Sequence, residues 1–133
     1  MTYTISQVAE MTGISAYTLR YYDNEGLLPF LEKDKNGARI FKDSDLEWLE
    51  LLSCMKETGM SIKDLRNFIT LCAKGDDSLK ERLEIVKAHK EKTEAQIARL
   101  QKHMEKINYK VWYYSTAVEA GTEAIHKNSN CEE

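Results

Sequence analysis

Residues 4–26, TISQVAEMTGISAYTLRYYDNEG, decide the fold of this 133-residue chain. Thr4 and Gln7 have the spacing of a capping box, which marks the beginning of a helix. Gly13 can adopt the positive φ that a sharp turn requires, and Ser15 is a suitable N-cap for a second helix. The stretch therefore predicts two short helices joined by a tight turn, the arrangement called a helix-turn-helix.

The second helix of this pair has two different faces. Leu19 and Tyr22 recur at helical spacing and are expected to pack toward the first helix. The opposite face carries side chains that reach phosphates or base edges when such a helix lies in a major groove: Ala16, Tyr17, Arg20 and Tyr21. The alternative for this segment is an ordinary helical hairpin whose tyrosines are half-buried.

A short β-hairpin is predicted next. Residues 27–29 lead into one strand, residues 35–37 (Lys-Asn-Gly) offer a type I′ turn, and residues 39–41 form the returning strand. Three cations lie on this hairpin, or wing, where they would follow a DNA backbone and hold the protein in register: Lys33, Lys35 and Arg39. The alternative is a solvated hairpin with ordinary surface cations.

Composition limits the classes of function. The net charge is −3, and residues 1–42 contain five basic and five acidic residues, so bulk electrostatics does not favour nucleic acid and the DNA prediction rests on the local pattern. The length suits one compact head with an extension. The sequence contains no nucleophile-and-base motif, glycine-rich phosphate loop or paired metal ligands, so neither an enzyme nor a cofactor is predicted.

The location is predicted to be cytoplasmic, with no membrane partner. No apolar run approaches the length of a membrane span, and the N-terminus lacks the basic and apolar regions of a signal peptide. Three cysteines, an odd number, fit reduced thiols better than structural disulfides.

A second helix pair is predicted after the wing. Asp43 or Ser44 is expected to cap a helix that ends at Gly59, and Ser61 to cap another that ends near Lys74. Their apolar positions recur at three- and four-residue spacing, which packs this helical hairpin on the head: Leu49, Leu52, Met55, Ile62, Leu65, Phe68, Ile69 and Cys72. Residues 74–78 are predicted to be a linker.

An unbroken heptad pattern follows this linker. Heptad positions alternate by four and three from Leu79 to Val118 and are apolar or aromatic except at Lys90 and Thr93, and so narrow a stripe needs a partner helix. The predicted dimer interface contains Leu83, Val86, Ile97, Leu100, Met104, Ile107 and Val111. Residues 76–95 carry six acids and five bases whereas residues 96–111 carry one acid and four bases, which favours antiparallel pairing. The alternative is a monomer whose helix folds back on the head.

Four motifs in this order resemble the mercury-resistance-regulator (MerR) family of bacterial transcription regulators: TISQVAEMTGISAYTLRYYDNEGLL, NGARIF, DSDLEWL and TGMSIKDL. The resemblance covers residues 3 to about 72. It implies a mainly α fold with a winged helix-turn-helix head, a second helix pair and a long C-terminal helix that forms an antiparallel coiled-coil dimer. The expected divisions are a DNA-binding domain at 1–74, a dimerisation helix at 78–120 and a flexible tail at 121–133.

The resemblance also assigns contacts on the recognition helix and the wing. Tyr17, Thr18, Arg20 and Tyr21 fall on the recognition helix and its phosphate contacts, and Arg39 falls in the wing. With the residues that begin the helix and the wing lysines, the predicted DNA-binding set is Ser15, Ala16, Tyr17, Thr18, Arg20, Tyr21, Lys33, Lys35 and Arg39. Two departures weaken the likeness in the wing. Ala38 stands where many members have a tyrosine, and Glu32 stands where a cation is common.

The mechanism that the resemblance implies is a deformation of promoter DNA. A homodimer would bind a near-palindromic operator, then bend and untwist a promoter whose spacer is too long, so that RNA polymerase can use both promoter elements. Binding free energy would be spent on the DNA deformation, and the inducing signal would favour the distorted complex.

The signal that this resemblance suggests is a reactive electrophile. Residues 53–61 are similar to the branch of the family, associated with stress responses, that senses aldehydes or other electrophiles through one cysteine, here Cys54. The alternative is that Cys54 is a small buried hydrophobe, as is expected for Cys72. Metal-sensing members carry a cysteine pair after the dimer helix, where this chain has only Cys131, so no metal site is predicted and a metal-responsive regulator remains an alternative. A coiled-coil interaction module that never binds DNA is the other alternative.

Overall fold

The structure is a computed structural model and describes residues 1–127. Its regular elements are, in chain order, β1 (Thr2–Tyr3), α1 (Ile5–Thr12), α2 (Ala16–Asn24), β2 (Glu32–Lys33), β3 (Arg39–Lys42), α3 (Asp43–Glu57), α4 (Ile62–Ala73) and α5 (Leu79–Ala120), with 3₁₀ helices at Gly75–Ser78 and Glu123–His126. The chain divides into two compact units, Met1–Lys87 and a second that begins at Ala88. The mainly helical fold class predicted from sequence is confirmed.

The predicted helix-turn-helix is confirmed in its local chemistry. The Thr4 hydroxyl accepts the Gln7 backbone N–H, and the Gln7 side chain accepts the Thr4 N–H at 2.8 Å. Gly13 has a φ of 76° and ends α1, and Ser15 caps α2. Because the two caps satisfy donors that would otherwise be unpaired, each short helix begins at a defined residue.

The wing is a three-stranded sheet with the order β1-β3-β2. The sequence analysis did not predict β1, whose Tyr3 pairs with Phe41 and donates its hydroxyl to Asp43 at 2.8 Å. Residues 27–29 precede the strand without belonging to it. Only two residues pair on each of the outer strands, so hydrophobic alternation is too short there to mark a strand from sequence.

The type I′ turn predicted for the wing is wrong. Gly37 has a φ of 84°, but within residues 1–127 no residue other than glycine has a positive φ, which a type I′ turn requires at Asn36. The Asp34 carboxylate instead accepts the N–H groups of Asn36 and Ala38, and the Gly37 N–H donates to the Asp34 carbonyl at 2.9 Å. Asp34 therefore stabilises a longer loop that ends in a left-handed glycine.

The beginning of α3 also differs from the prediction. Neither Asp43 nor Ser44 is the cap, because the helix begins at Asp43 and Lys42 occupies the N-cap position. The buried Asp45 carboxylate accepts the Lys42 backbone N–H at 2.8 Å. Asp45, at the third position of the helix, therefore supplies the reciprocal half of a capping box, the bond back to the N-cap N–H. The later boundaries agree with the prediction, since Gly59 follows α3 and Ser61 caps α4.

One hydrophobic core joins the helix-turn-helix, the sheet and the α3–α4 hairpin. Trp48 stacks on Phe68 with ring centroids 6.4 Å apart, and its indole N–H donates to the Leu27 carbonyl at 2.8 Å. The buried members of this core are Val8, Leu19, Tyr22, Leu27, Leu28, Phe41, Leu49, Leu52, Met55, Met60, Leu65, Phe68 and Ile69. Burial of this apolar surface is the main term that holds the recognition helix on the head.

The linker predicted at 74–78 is an ordered 3₁₀ helix. Ser78 is buried, and its hydroxyl lies within hydrogen-bond distance of the Leu71 and Gly75 carbonyl oxygens. The Arg82 guanidinium donates to the Ser78 hydroxyl at 2.9 Å and to the Gly75 carbonyl at 2.8 Å. Small polar residues predicted a linker here, but the side chains of Ser78 and Arg82 satisfy local backbone carbonyls.

The end of the chain differs in part from the predicted flexible tail. Thr122 caps the 3₁₀ helix at Glu123–His126, and His126 is buried. Residues 128–133, including Cys131, lie outside the described part. None of the described helices is both long enough and apolar enough to cross a membrane.

Candidate nucleic-acid interface

The outer face of α2 presents a row of exposed side chains. Tyr17 is 78% exposed and Tyr21 is 42% exposed, and Arg20 is exposed between them. On the other face Leu19 is fully buried and Tyr22 nearly so. The two faces predicted for this helix are therefore present, and two aromatic rings and one guanidinium are available to a partner.

Ser15 and Thr18 are already used in capping α2. The Ser15 hydroxyl oxygen accepts the Thr18 backbone N–H at 3.1 Å and is bonded to the Thr18 hydroxyl at 2.9 Å. Both residues, and the half-buried Ala16, lie at the first turn of α2. Their first role is to fix where the recognition helix begins, which sets the direction of the exposed residues that follow.

Arg20 lies in a groove that connects three elements. The groove has a volume of about 400 Å³ and is lined by the first turn of α1, by Arg20 and by the wing from Asp34 to Ile40. A helix-turn-helix and a wing that border one concave surface can contact one ligand together. The structure thus brings Arg20 and Arg39, which are 19 residues apart in sequence, to the same surface.

The three wing cations differ in their surroundings. Lys35 is exposed in the loop, and Lys33 is about half exposed. Arg39 is only 19% exposed, and its Nε donates to the Asp23 carboxylate at 2.7 Å. The sequence analysis treated these cations as equivalent, but Arg39 is bound inside the head by Asp23.

Asp23 is the residue that the sequence analysis missed. Its carboxylate also lies 4.0 Å from the Lys33 ammonium, and the Arg39 Nη2 donates to the neighbouring Asn24 side chain at 3.4 Å. A carboxylate near the C-terminus of a helix faces the negative end of the helix dipole. That unfavourable placement is the sequence signal which could have prompted a search for a cationic partner.

Glu32, the acidic departure in the wing, pairs within the wing. Its carboxylate lies 3.1 Å from the Lys42 ammonium across the β2–β3 pair. The bridge is largely exposed and so contributes little to stability.

Cys54 lies on α3 with its side chain exposed, whereas Cys72 is half-buried against the core. The alternative that Cys54 is a buried hydrophobe is therefore contradicted, and the expectation of a packed Cys72 is supported. Both thiols are free. Exposure gives the Cys54 thiol access to small reagents, which is the condition that a thiol sensor needs.

Two tyrosines of the head have raised pKa values. Burial, followed by the negative charge of Glu57 and the neighbouring Tyr21, raises the pKa of Tyr22 above its usual value of 10.0. The hydrogen bond to Asp43 is the main cause that raises the pKa of Tyr3. Both hydroxyls are therefore protonated at neutral pH.

The predicted dimer residues on α5 are exposed in the single chain. In the first unit Leu83 is 52% and Val86 is 42% exposed. In the second unit the exposed interface residues are Ile97, Leu100, Met104, Ile107 and Val111. Apolar side chains that recur in a narrow stripe and meet water indicate a surface that another helix covers.

An aromatic cluster lies near the C-terminal end of the second unit and was not predicted from the sequence. His126 stacks on Tyr113 with ring centroids 4.4 Å apart and is hydrogen-bonded to the Thr116 hydroxyl at 2.6 Å. The Lys110 ammonium lies 4.8 Å from the centre of the Tyr113 ring. Packing within the chain thus accounts for the burial of Tyr113.

Comparison with known proteins decides the family. Residues 3–71 match a family model described as the MerR HTH family regulatory protein, and residues 46–108 match a second, described as MerR, DNA binding. The chain belongs to the MerR family. It is therefore a DNA-binding transcriptional regulator and not an enzyme.

Individual MerR-family relatives extend over nearly the whole chain. A transcriptional regulator of helix-turn-helix type from Haemophilus influenzae, itself uncharacterised, is 46% identical over 122 residues, which are 92% of this chain and 90% of that protein. The solved structure of HiNmlR, described as a MerR family regulator lacking the sensor domain and bound to promoter DNA, has a TM-score of 0.86 and 46% identity, covering 92% of this chain and 98% of that one. A MerR family regulator from Bacillus thuringiensis has a TM-score of 0.77 and 38% identity, covering 84% of this chain and 97% of that one.

Proposed function

We propose that this regulator binds its promoter as a homodimer, with one α2 helix of each subunit in successive major grooves of a near-palindromic operator. The observation that carries the proposal is that Arg20 of α2 lines one groove together with the wing, while Tyr17 and Tyr21 are exposed on the outer face of the same helix. Arg20 is assigned to phosphates or base edges, and the two tyrosines to sugars, phosphates and base methyl groups. Lys33 and Lys35 are assigned to backbone phosphates.

The homodimer is supported by the exposed apolar residues of α5. A dimer would remove from water the side chains that the single chain leaves exposed, including Leu100 at 65% and Val111 at 61%. It would also explain how a head with so short a recognition helix achieves specificity, because two heads double the number of bases that are read.

The proposed action is distortion of the promoter. A two-fold dimer that holds both half-sites can bend and untwist the DNA between them, and the contacts of two heads would offset the deformation energy. RNA polymerase is the partner that would use the realigned promoter. Because its partner is promoter DNA, the protein is assigned to the bacterial cytoplasm.

Cys54 is proposed to sense aldehydes or other electrophiles. Its thiolate, formed when the thiol proton passes to water, would add to the electrophilic carbon. With an aldehyde, the carbonyl π bond breaks as the carbon–sulfur bond forms, and the resulting alkoxide takes a proton from water. The exposed position on α3 supports this assignment. Mass spectrometry after exposure to an aldehyde should find the adduct on Cys54 and not on Cys72, and a Cys54→Ser variant should keep DNA binding but lose the response. Modification of Cys72 alone would contradict it.

Neither alternative function is favoured. The family relationship disfavours an interaction module that never binds DNA. For a metal-responsive regulator, residues 1–127 contain no group of three or more potential ligands, and this regulator is proposed to act without a bound cofactor.

Replacement of Arg20 tests the proposed interface. Arg20→Ala should lower operator affinity at least tenfold, since one direct contact to a base or phosphate is lost, and should leave the dimer and the thermal midpoint unchanged because Arg20 is exposed. Arg66→Ala is the matched control, since Arg66 is half exposed on α4 and pairs only loosely with Glu25 at 3.8 Å. Equal affinities for the wild type and Arg20→Ala would contradict the interface.

A further inference from the structure

We propose that Asp23 is a positioning residue, which fastens the wing to the recognition helix through Arg39, and that Arg39 orients the wing on DNA without being a phosphate contact itself. The proposal rests on the proposed function, because it concerns how the two DNA-binding elements are held together.

The geometry gives Arg39 two acceptors on α2. Its Nε donates to Asp23 at 2.7 Å and its Nη2 to Asn24 at 3.4 Å, so one planar guanidinium bridges two consecutive residues at the end of α2. Lys cannot reproduce this arrangement, because an ammonium lacks the fixed fork of a guanidinium. The bridge connects β3 to α2 across 16 residues of sequence.

The burial of the pair separates it from an ordinary surface bridge. The side chains of Asp23 and Arg39 are 16% and 19% exposed, whereas those of Lys42 and Glu32, the bridge within the wing, are 35% and 65% exposed. A charge-assisted hydrogen bond that is largely shielded from water is stronger and more directional than an exposed ion pair. Arg39 is thus held by the head before any DNA arrives.

The wing is anchored through β3, whose Phe41 is buried in the core, but its outer strands are short. Strands β1 and β2 contribute two residues each, and Lys33 and Lys35 belong to β2 and the loop after it. Phosphate contacts depend on where these two cations lie relative to α2. A bridge from β3 to the end of α2 therefore controls whether the wing and the recognition helix meet the same duplex in register.

The two possible roles of Arg39 predict opposite effects for Asp23→Ala. If Arg39 were a phosphate contact restrained by Asp23, the variant would release a cation and bind DNA more tightly. If Asp23 positions the wing, the variant should bind the operator about tenfold more weakly, and the magnitude of the slope of log affinity against log salt should decrease by about 2 to 4 as the phosphates of both wings in the homodimer are lost. Removal of a carboxylate from the end of a helix does not weaken that helix.

Asp76→Ala is the matched control. Asp76 is an exposed carboxylate in the 3₁₀ helix at Gly75–Ser78, and its replacement changes the net charge by the same amount. The control should bind the operator as tightly as the wild type or slightly more tightly, which separates the effect of the bridge from that of net charge.

Lys35 provides a readout that a general loss of stability would not produce. Lys35→Ala should lower the magnitude of the salt slope by about 2 in the wild type, one phosphate for each wing of the homodimer, and by nothing in Asp23→Ala, because a wing that is already displaced loses no further phosphate. Arg39→Lys, which keeps the charge but not the fork, should behave as Asp23→Ala does, and the double variant should lose no more than either single one. Arg39→Lys alone also tests the bridge if Asp23→Ala does not fold.

The outcomes are distinct. Tighter binding by Asp23→Ala, unchanged binding by Arg39→Lys, or an equal effect of Lys35→Ala in both backgrounds would overturn the positioning role while leaving the DNA interface intact. If the wild type itself bound no duplex selectively, or if Arg20→Ala bound as the wild type does, the proposed function would fail instead.

Discussion

At the scale of single residues, the head depends on polar groups whose roles become visible only in three dimensions. Asp23 is unremarkable in sequence, and its helix-terminal position is unfavourable until Arg39 lies beside it at 2.7 Å. Asp34 and Asp45 likewise accept backbone N–H groups in places where sequence rules predicted a different turn and a different cap. Each carboxylate was visible in sequence, but its acceptor role depends on backbone geometry that one residue cannot specify.

The buried Tyr22 makes the stability of the head sensitive to alkaline pH. Because the folded pKa of Tyr22 is raised above its unfolded value of 10.0, its contribution to stability is complete below pH 10 and is lost as the pH rises through the folded pKa. The free energy of unfolding should therefore fall above pH 10, and less steeply in Tyr22→Phe. Chemical denaturation at pH 8 to 11 measures how the free energy of unfolding changes with pH in the wild type and in Tyr22→Phe. If the free energy of unfolding fell equally steeply with pH in both proteins, Tyr22 would not be the cause of the alkaline destabilisation.

At the scale of elements, sequence predicted the helices well and the short strands poorly. The caps at Thr4, Ser15 and Ser61 use side chains close in sequence to the groups that they bind, so local rules identify them. The two-residue strands β1 and β2 form because each pairs with β3. Strand β1 does so across about 40 residues, which leaves no local signal, and the β2–β3 hairpin pairs only two residues of β2, too few for alternation to mark a strand. The bridge between the wing and α2 was missed because its partners lie 16 residues apart. Residues 74–78 were taken for a linker because small polar residues favour a loop, and the bonds made there by Ser78 and Arg82 are side-chain bonds that composition does not reveal.

The junction between α4 and α5 should be stiff because of Arg82. Its guanidinium donates to the buried Ser78 hydroxyl and to the Gly75 carbonyl. Arg82→Ala should lower the free energy of unfolding by about 1 to 2 kcal/mol, the usual effect of lost hydrogen bonds to partly buried groups. Urea denaturation measures this, with Lys80→Ala, an exposed cation on the same helix, as control. Equal stability of the two variants would contradict the role given to Arg82.

At the scale of the whole molecule, the chain is a MerR-family regulator, and the surfaces proposed for DNA binding and dimerisation follow sequence patterns. The residues of the exposed face of α2 and of the apolar stripe of α5 recur at helical spacing, so both patterns can be recognised in the sequence. The arrangement of two subunits on DNA depends on contacts between chains, which one sequence leaves open. That arrangement is therefore part of the proposal.

A charge on the α5 stripe should abolish the proposed dimer. Leu100→Asp places a carboxylate at an apolar position that a partner helix would cover, and the variant should sediment as a monomer at micromolar concentration. Gln101→Asp adds the same charge to the next residue, off the stripe, and should remain dimeric. Analytical ultracentrifugation distinguishes these states. A dimeric Leu100→Asp would show that subunits associate through another surface.

Selection of duplexes from a random DNA pool at physiological salt tests the central claim most directly, followed by affinity measurements on the selected sequence and on a scrambled control. A dimer that reads DNA through two α2 helices should select an inverted repeat whose half-sites lie about one helical turn, or a multiple of it, apart. It should bind that repeat at least about a thousandfold more tightly than scrambled DNA. Selection of a single half-site, or of no sequence at all, would contradict the account.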